Sequence, residues 1–187
     1  GRQIMLSINR VLVFPQAYAA VALDSSSTIG YSRLFLIDIG GYTTDVLLLR
    51  NGKPDLQYCR SLECGIITMN NEIIRKINTL HDLHIDDEHI SAVLLGEDTI
   101  LPMDAQDTIR SATKVHAGNI LNQLRELQFD LRSTPAMFIG GGSLLLRSYI
   151  ESSPLVAKAE FVSSPSANVC GYEKLAGSIL NQGGHTS

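Results

Sequence analysis

The sequence has few of the residues that mark several protein classes. Its 187 residues include no tryptophan, 6% aromatic residues and only three cysteines. No apolar run approaches the ~20 residues needed to span a bilayer, and no Lys/Arg block suggests direct contact with nucleic acid. The start, Gly1–Ile4, lacks a signal-peptide pattern. We therefore expect a cytoplasmic protein with no membrane partner and with reduced thiols at Cys59, Cys64 and Cys170.

The remaining composition is that of a folded domain. Hydrophobic residues make up 44% of the chain, charged residues 18%, and the formal net charge is -4. This composition excludes a disordered chain and a coiled coil, and the length fits one domain or two small lobes around one core.

Short apolar runs predict five strands. Leu34–Ile37 and Val46–Leu49 are continuous apolar segments, and Asn51-Gly52 then predicts a hairpin turn into a third strand over residues 56–62. Ala136–Ile139 and Lys158–Val162 predict two more. The first three strands should form a meander.

Helical spacing appears between and after these strands. Helices are predicted over residues 16–23, 84–95 and 173–180, and another begins near Leu144; Asp86 is the expected N-cap of the helix over residues 84–95. Ile73, Ile74, Ile77 and Leu80 share one face of a further helix. A long helix is predicted from Lys114 to Leu127. The alternation of strands and helices predicts an α/β layered fold with a mixed sheet and flanking helices.

Two glycine clusters each follow a buried strand. Gly40-Gly41-Tyr42-Thr43-Thr44 comes after the first strand, and Gly140-Gly141-Gly142-Ser143 follows the fourth. Consecutive backbone N–H groups near glycine form anion-binding nests, and ligands of open α/β sheets lie at the carboxyl ends of strands. Asp38 adds a carboxylate suited to a hydrated Mg²⁺. Each cluster alone could be an ordinary tight turn, but together they predict a split nucleotide site.

Other polar residues carry weaker signals. His81, His84 and His89 lack the i, i+4 spacing of a helical zinc site, so a surface loop is the favoured interpretation. Cys59 and Cys64 are interpreted as thiols rather than as a ligand pair. The sequence contains neither a G-x-S-x-G nucleophile motif nor a Walker A motif.

These motifs together resemble the superfamily of actin, sugar kinases and heat-shock chaperones. Leu36–Val46 looks like its second phosphate motif, and Phe138–Ser143 is similar to its adenosine motif. Val13–Ala20 resembles the first connecting segment, and Ala167–Tyr172 with the helix after it resembles the second. Order and spacing agree for all four, and the actin-like proteins of plasmid segregation are the most similar members.

The resemblance implies roles for individual residues. Gln16 would orient the attacking water, and Asp38 would hold Mg²⁺ through water. Backbone N–H groups of Gly40, Gly41, Tyr42, Thr43 and Thr44 would cradle the β- and γ-phosphates of ATP or GTP. The adenosine and α-phosphate would lie against Gly140, Gly141, Gly142 and Ser143. Gln16 could instead be a simple polar residue at a helix start, and a contact from Lys114 to the base is less favoured than a solvated position.

The resemblance also implies how the chain is divided. Residues 1–32 would be a connecting segment with a first strand and helix, and residues 33–187 a second, ribonuclease H-like nucleotide-binding lobe with a small inserted subdomain at about 80–110. The family's first phosphate motif has no counterpart before Val13. We therefore expect the first lobe to be absent, with a fragment favoured over a natural truncation, and expect the chain alone to bind ATP weakly and hydrolyse it negligibly.

Several functions fit these expectations. The favoured hypothesis is a lobe of an actin-like ATPase that forms nucleotide-dependent filaments, in plasmid or DNA segregation, with a DNA-binding adaptor as a possible partner. The alternatives are a chaperone or reactivating ATPase that acts on a protein client, a small-molecule kinase, and a non-enzymatic interaction module. The short segment from Leu83 to Ile109 disfavours a chaperone, since chaperones need a larger upper subdomain.

Overall fold

The structure is a computed structural model that describes residues 5, 7, 8, 11–22, 30–162, 164 and 167–182. Within these residues the chain forms one five-stranded mixed sheet with helices on both faces. The strands are β1 (Arg33–Ile39), β2 (Thr44–Arg50), β3 (Lys53–Leu62), β4 (Ala136–Ile139) and β5 (Ala159–Phe161). The helices are α1 (Tyr18–Ala22), α2 (Ile66–His81), α3 (Asp87–Leu95), α4 (Met103–Glu126), α5 (Gly141–Leu145), α6 (Arg147–Glu151) and α7 (Ala167–Gln182).

The sheet combines an antiparallel meander with a parallel extension. Its strand order is β3-β2-β1-β4-β5, antiparallel between β1, β2 and β3 and parallel from β1 to β4 and β5. Asn51 and Gly52 form the predicted turn, with φ values of 49° and 76°, as a two-residue hairpin requires. The ladder between β2 and β3 is interrupted: neighbouring Leu47 and Leu48 pair with Cys59 and Asp55, so residues 56–58 are extra on β3.

The two faces of β1 pack against different layers. Phe35, Ile37 and Ile39 belong to a large apolar cluster with residues of α2 and α4. Leu34 and Leu36 alternate with them and belong to a smaller cluster with residues of α1. Successive side chains of a strand point to opposite faces, and Asp38 continues the second set. The carboxylate therefore lies on the α1–α7 face of the sheet.

Three helices begin before the first residue of the pattern that predicted each of them. α2 begins at Ile66, α4 at Met103 and α7 at Ala167, so Lys114 lies inside a helix rather than at its start, and it is exposed. Leu80 is 63% exposed and does not share the buried face of Ile73 and Ile77.

The reason for the first two differences is that their N-caps, Gly65 and Pro102, offer no side-chain acceptor to mark a helix start. At α3, by contrast, Asp86 forms the predicted cap and accepts from the backbone N–H groups of Glu88 and His89.

The beginning of the described chain also differs from the prediction. Residues 11–15 form no strand, and Gln16 lies in a turn before α1 rather than in the helix. The predicted helix end at residue 23 lies outside the described residues. In the segment at about 80–110, for which the inserted subdomain stays a prediction, Ile85, Ile90 and Val93 belong to the same apolar cluster as the strands.

α1 and α7 cross in very close contact. A Cβ atom built on Gly171 would lie 1.7 Å from the carbonyl oxygen of Ala19, so only glycine permits this backbone approach. Ala19 and Ala20 are buried at the crossing. The crossing joins the two segments that the sequence analysis identified as connecting segments.

None of the described helices is long and apolar enough to cross a membrane.

Candidate functional site

Asp38 is a buried carboxylate held by two side-chain amides. It is 3% exposed, and its Oδ2 atom accepts hydrogen bonds from Gln16 Nε2 at 3.0 Å and Asn168 Nδ2 at 2.7 Å. A buried charge needs hydrogen-bond partners because its desolvation is costly. Gln16 comes from the turn before α1 and Asn168 from the first turn of α7, so one carboxylate joins both connecting segments to the sheet.

Asn168 has a role that the sequence analysis did not assign. Asn168 lies in the segment that resembles the second connecting motif, and the resemblance implied no function for its side chain. The signal that could have found it is the alternation along β1. Since Leu34 and Leu36 face α1, Asp38 must also face that layer and needs donors from it.

The glycine turn after β1 is held by the start of α2. Gly40 N–H donates to the Thr43 carbonyl at 2.9 Å. The carbonyls of the turn are then bonded by backbone N–H groups of the α2 start: Gly65 to Tyr42 at 3.0 Å, Ile66 to Gly40 at 3.0 Å and Ile67 to Gly41 at 2.8 Å. These bonds fix the turn's backbone and leave its carbonyl oxygens directed into the protein.

The side chains of this turn do not all face the site. The Thr44 hydroxyl is fully buried and donates to the Cys64 carbonyl at 3.0 Å, while the Thr43 hydroxyl donates to Asp45 Oδ2 at 3.0 Å. Tyr42 is 74% exposed. The two threonine hydroxyls are thus bonded within the protein, and Thr43 and Thr44 would contribute to a ligand site through backbone groups in this arrangement.

The second glycine cluster adjoins Asp38. Gly140 directly follows β4 with φ of +86°, and a Cβ atom there would lie 2.5 Å from Asp38 Oδ1. Only glycine combines this backbone angle with so close an approach. Ser143 is buried and its hydroxyl donates to the Gly140 carbonyl at 2.7 Å, so it stabilises the turn and does not face the pocket.

A cavity of about 290 Å³ joins the two clusters. Gly40, Gly41, Gly140, Gly141, Gly142, Asp38 and Gln16 line it together with Ile39, Ile66 and Asn168. The structure thus brings together the two glycine clusters and the two polar residues that the sequence predicted. Tyr42, Thr43, Thr44 and Ser143 do not line this cavity.

The electrostatics of the site come from carboxylates and an adjacent phenol. Burial raises the pKa of Tyr172, and the negative charges of Asp38 and Asp45 raise it further, so its hydroxyl stays neutral at physiological pH. Burial likewise raises the pKa of the Cys64 thiol, partly offset by its hydrogen bond with Thr44. In the part of the chain that the structure describes, no three His, Cys, Asp or Glu residues gather as metal ligands. Asp38 alone fits a metal held through water rather than in a protein cage.

Comparison with protein families identifies the class. The family model described as "Archaeal actin homologue MreB-like, C-terminal" matches residues 36–152, which is more than half of the chain. The chain belongs to this family. A search of curated proteins gave no match.

Solved structures agree on the fold. A pCBH ParM, a non-polymerisable quadruple mutant, has 22% sequence identity and a TM-score of 0.72, and the match covers 95% of this chain and 57% of that one. Ta0583, an archaeal actin homologue, has 21% identity and a TM-score of 0.69, with 89% and 55% covered. MreB 5 of Spiroplasma citri, bound to AMPPNP, has 16% identity and a TM-score of 0.61, with 89% and 59% covered. The chain has the actin-like ATPase fold and spans a little over half the length of these proteins.

Proposed function

We propose that this chain is a nucleotide-binding lobe of an actin-like ATPase. The observation that carries the proposal is the cavity in which two glycine-rich strand ends meet a buried carboxylate. Glycine permits close approach of a phosphate to the backbone, and a carboxylate beside it suits a hydrated Mg²⁺. Among related folds, Ta0583 was solved with ADP and MreB 5 with AMPPNP.

The proposed roles combine what the resemblance implies with the geometry of the cavity. Gly41 offers its backbone N–H group to the β- and γ-phosphates. Gly40, whose own N–H donates to the Thr43 carbonyl, allows the chain to approach them closely. Tyr42, Thr43 and Thr44, which do not line the cavity, would contribute through their backbone at its edge. Gly140, Gly141 and Gly142 pack against the nucleoside and the α-phosphate. Asp38 holds Mg²⁺ through water, and the metal would offset the negative charge of the phosphates. Gln16, whose Nε2 is bonded to Asp38, has its amide oxygen left to orient a water.

The chain supplies one side of the site in this proposal. Phosphoryl transfer in this class depends on positioning and on charge stabilisation from both sides of the phosphates. One lobe alone leaves the nucleotide open to solvent. We therefore expect this chain by itself to bind ATP or GTP weakly and to hydrolyse it negligibly, and we propose that a first lobe completes the site.

The most direct test is an amide NMR titration of the chain with ATP and with GTP, each with Mg²⁺. Weak binding should shift the amide signals of Gly40, Gly41 and Gly140–142 first. Gly140→Ala places a Cβ atom against Asp38 Oδ1 and should abolish these shifts. Gly118→Ala is the matched control, because a Cβ atom on Gly118 meets nothing within 4 Å. Shifts confined to other surfaces, or none at millimolar nucleotide, would refute the proposal.

We further propose that the complete ATPase assembles into nucleotide-dependent filaments that move a plasmid or other DNA through an adaptor. One of the related structures is described as an Alp12 filament. Head-to-tail contacts that do not close generate such filaments. Light scattering of the full-length protein with ATP and Mg²⁺ should rise and then decay with hydrolysis. A client-stimulated ATPase without assembly would favour the chaperone alternative instead.

A further inference from the structure

We infer that Asn168 is the positioning residue that aims the Asp38 carboxylate at the metal side of the nucleotide pocket. This inference rests on the proposed function and deepens it. Asn168 was not among the predicted site residues, and its contact with Asp38 bridges positions 130 apart in the chain.

The chemistry of the contact fixes the orientation of the amide. An ionised carboxylate can only accept hydrogen bonds, so Asn168 must present its Nδ2 group to Asp38. The amide oxygen then points away from the carboxylate, and Asn168 Oδ1 is buried without a hydrogen-bond partner among the described residues. The Nδ2 group both satisfies the buried carboxylate and fixes the direction in which it points.

Both amides hold the same oxygen of the Asp38 carboxylate. Gln16 and Asn168 both donate to Oδ2, and two donors satisfy the lone pairs of that atom. Oδ1 is the oxygen beside Gly140, where a Cβ atom would lie only 2.5 Å away. Because both amides hold Oδ2, Oδ1 stays next to Gly140 and is the oxygen available to metal-bound water.

Asn168 holds the Asp38 carboxylate more rigidly than Gln16 does. Its bond to Oδ2 is 2.7 Å long, against 3.0 Å for Gln16. Asn168 also lies in a 16-residue helix, whereas Gln16 is an exposed residue of a turn. Loss of Asn168 should therefore free the carboxylate to rotate, while the glycine turns that contact the phosphates stay in place.

The test separates the metal-dependent part of nucleotide affinity from the rest. The ratio of the ATP dissociation constant in EDTA to that in Mg²⁺ is measured for the wild-type protein and for Asn168→Leu, which keeps the approximate shape and removes the donor. We expect the ratio to fall by about tenfold, the equivalent of one lost charge-assisted hydrogen bond, with the EDTA value unchanged. Val169→Ala, an exposed neighbour on the same helix, should leave both values at the wild-type level.

A double-mutant cycle completes the test, because a positioning residue acts only through its partner. Asp38→Asn should remove the Mg²⁺ dependence, and adding Asn168→Leu to it should change the ratio no further. Equal weakening in EDTA and in Mg²⁺ would make Asn168 a merely structural residue and overturn the inference. An unchanged ratio in Asn168→Leu would also overturn it while leaving the proposed function intact. A wild-type protein that binds no nucleotide would overturn both.

Discussion

The two faces of the sheet differ in size and in chemistry. The α2–α4 face carries the large apolar cluster, whereas the α1–α7 face carries a small one. The α1–α7 face also holds the buried carboxylate and the helix crossing, where the backbones are too close for a side chain on Gly171. Burial of apolar area is the main stabilising term in folding, so the first face holds the lobe together. The second face contributes less burial and contains the polar contacts that meet the pocket. Most of the apolar core and the candidate site thus lie on opposite sides of the same strands.

The largest effect that tests this comparison is expected at the helix crossing. Gly171→Ala must push α7 away from the Ala19 carbonyl, and we expect a loss of about 2–3 kcal/mol in unfolding free energy from overpacking. Urea unfolding measures this loss. Gly177→Ala, on the same helix with open space around it, should be neutral or stabilising by up to about 1 kcal/mol. If the two variants were equally stable, the α1–α7 face would be looser than described.

A smaller effect is expected where the glycine turn meets the α2–α4 face. Thr44→Val keeps the side-chain shape but leaves the buried Cys64 carbonyl without the Thr44 hydroxyl, and we expect a cost of about 1–2 kcal/mol. Thr43→Val is the matched control on the adjacent, half-buried residue, and its expected cost is under about 0.5 kcal/mol. Equal costs would mean that the Thr44 hydroxyl does not anchor the turn.

The smallest effect concerns the one buried histidine of α4 among the described residues. Burial lowers the pKa of His116 below its ordinary value, against the opposing influence of Glu72 and of the Cys64 backbone. The unfolded chain therefore binds a proton more readily than the folded chain. Stability should be full above the ordinary pKa near 6.5 and should decline as the pH falls from there towards the lowered folded-state pKa.

Urea unfolding at pH 7.5 and pH 5.5 measures this decline. In His116→Asn, which cannot titrate, the difference between the two pH values should be smaller than in the wild type. A pH difference as large as in the wild type would assign the decline to other groups.

The sequence predicted the strands well because each is a local pattern. Continuous apolar runs mark β1, β2 and β4, and Asn51-Gly52 has an intrinsic turn preference that no distant contact overrides. Helix starts were predicted only where a local signal exists. Asp86 marks α3, but Gly65 and Pro102 give α2 and α4 no side-chain cap to detect.

The site was predicted in part for the same reason. Two glycine clusters at strand ends are visible in the sequence, and the cavity joins them. Whether a hydroxyl faces a ligand or a carbonyl is decided by packing, so the sequence does not indicate that the hydroxyls of Thr44 and Ser143 donate to carbonyls within the protein. The contact between Asp38 and Asn168 depends on how α7 returns to the sheet, and no local pattern records it.

The interruption in the ladder between β2 and β3 has a consequence outside the site. β3 is ten residues long and lies at the edge of the sheet, where a regular strand would offer its free backbone groups to a strand from another molecule. The three extra residues at 56–58 break that row of donors and acceptors into two short pieces. The irregularity thus makes the edge a poor template for aggregation, although Leu56 and Tyr58 are exposed there.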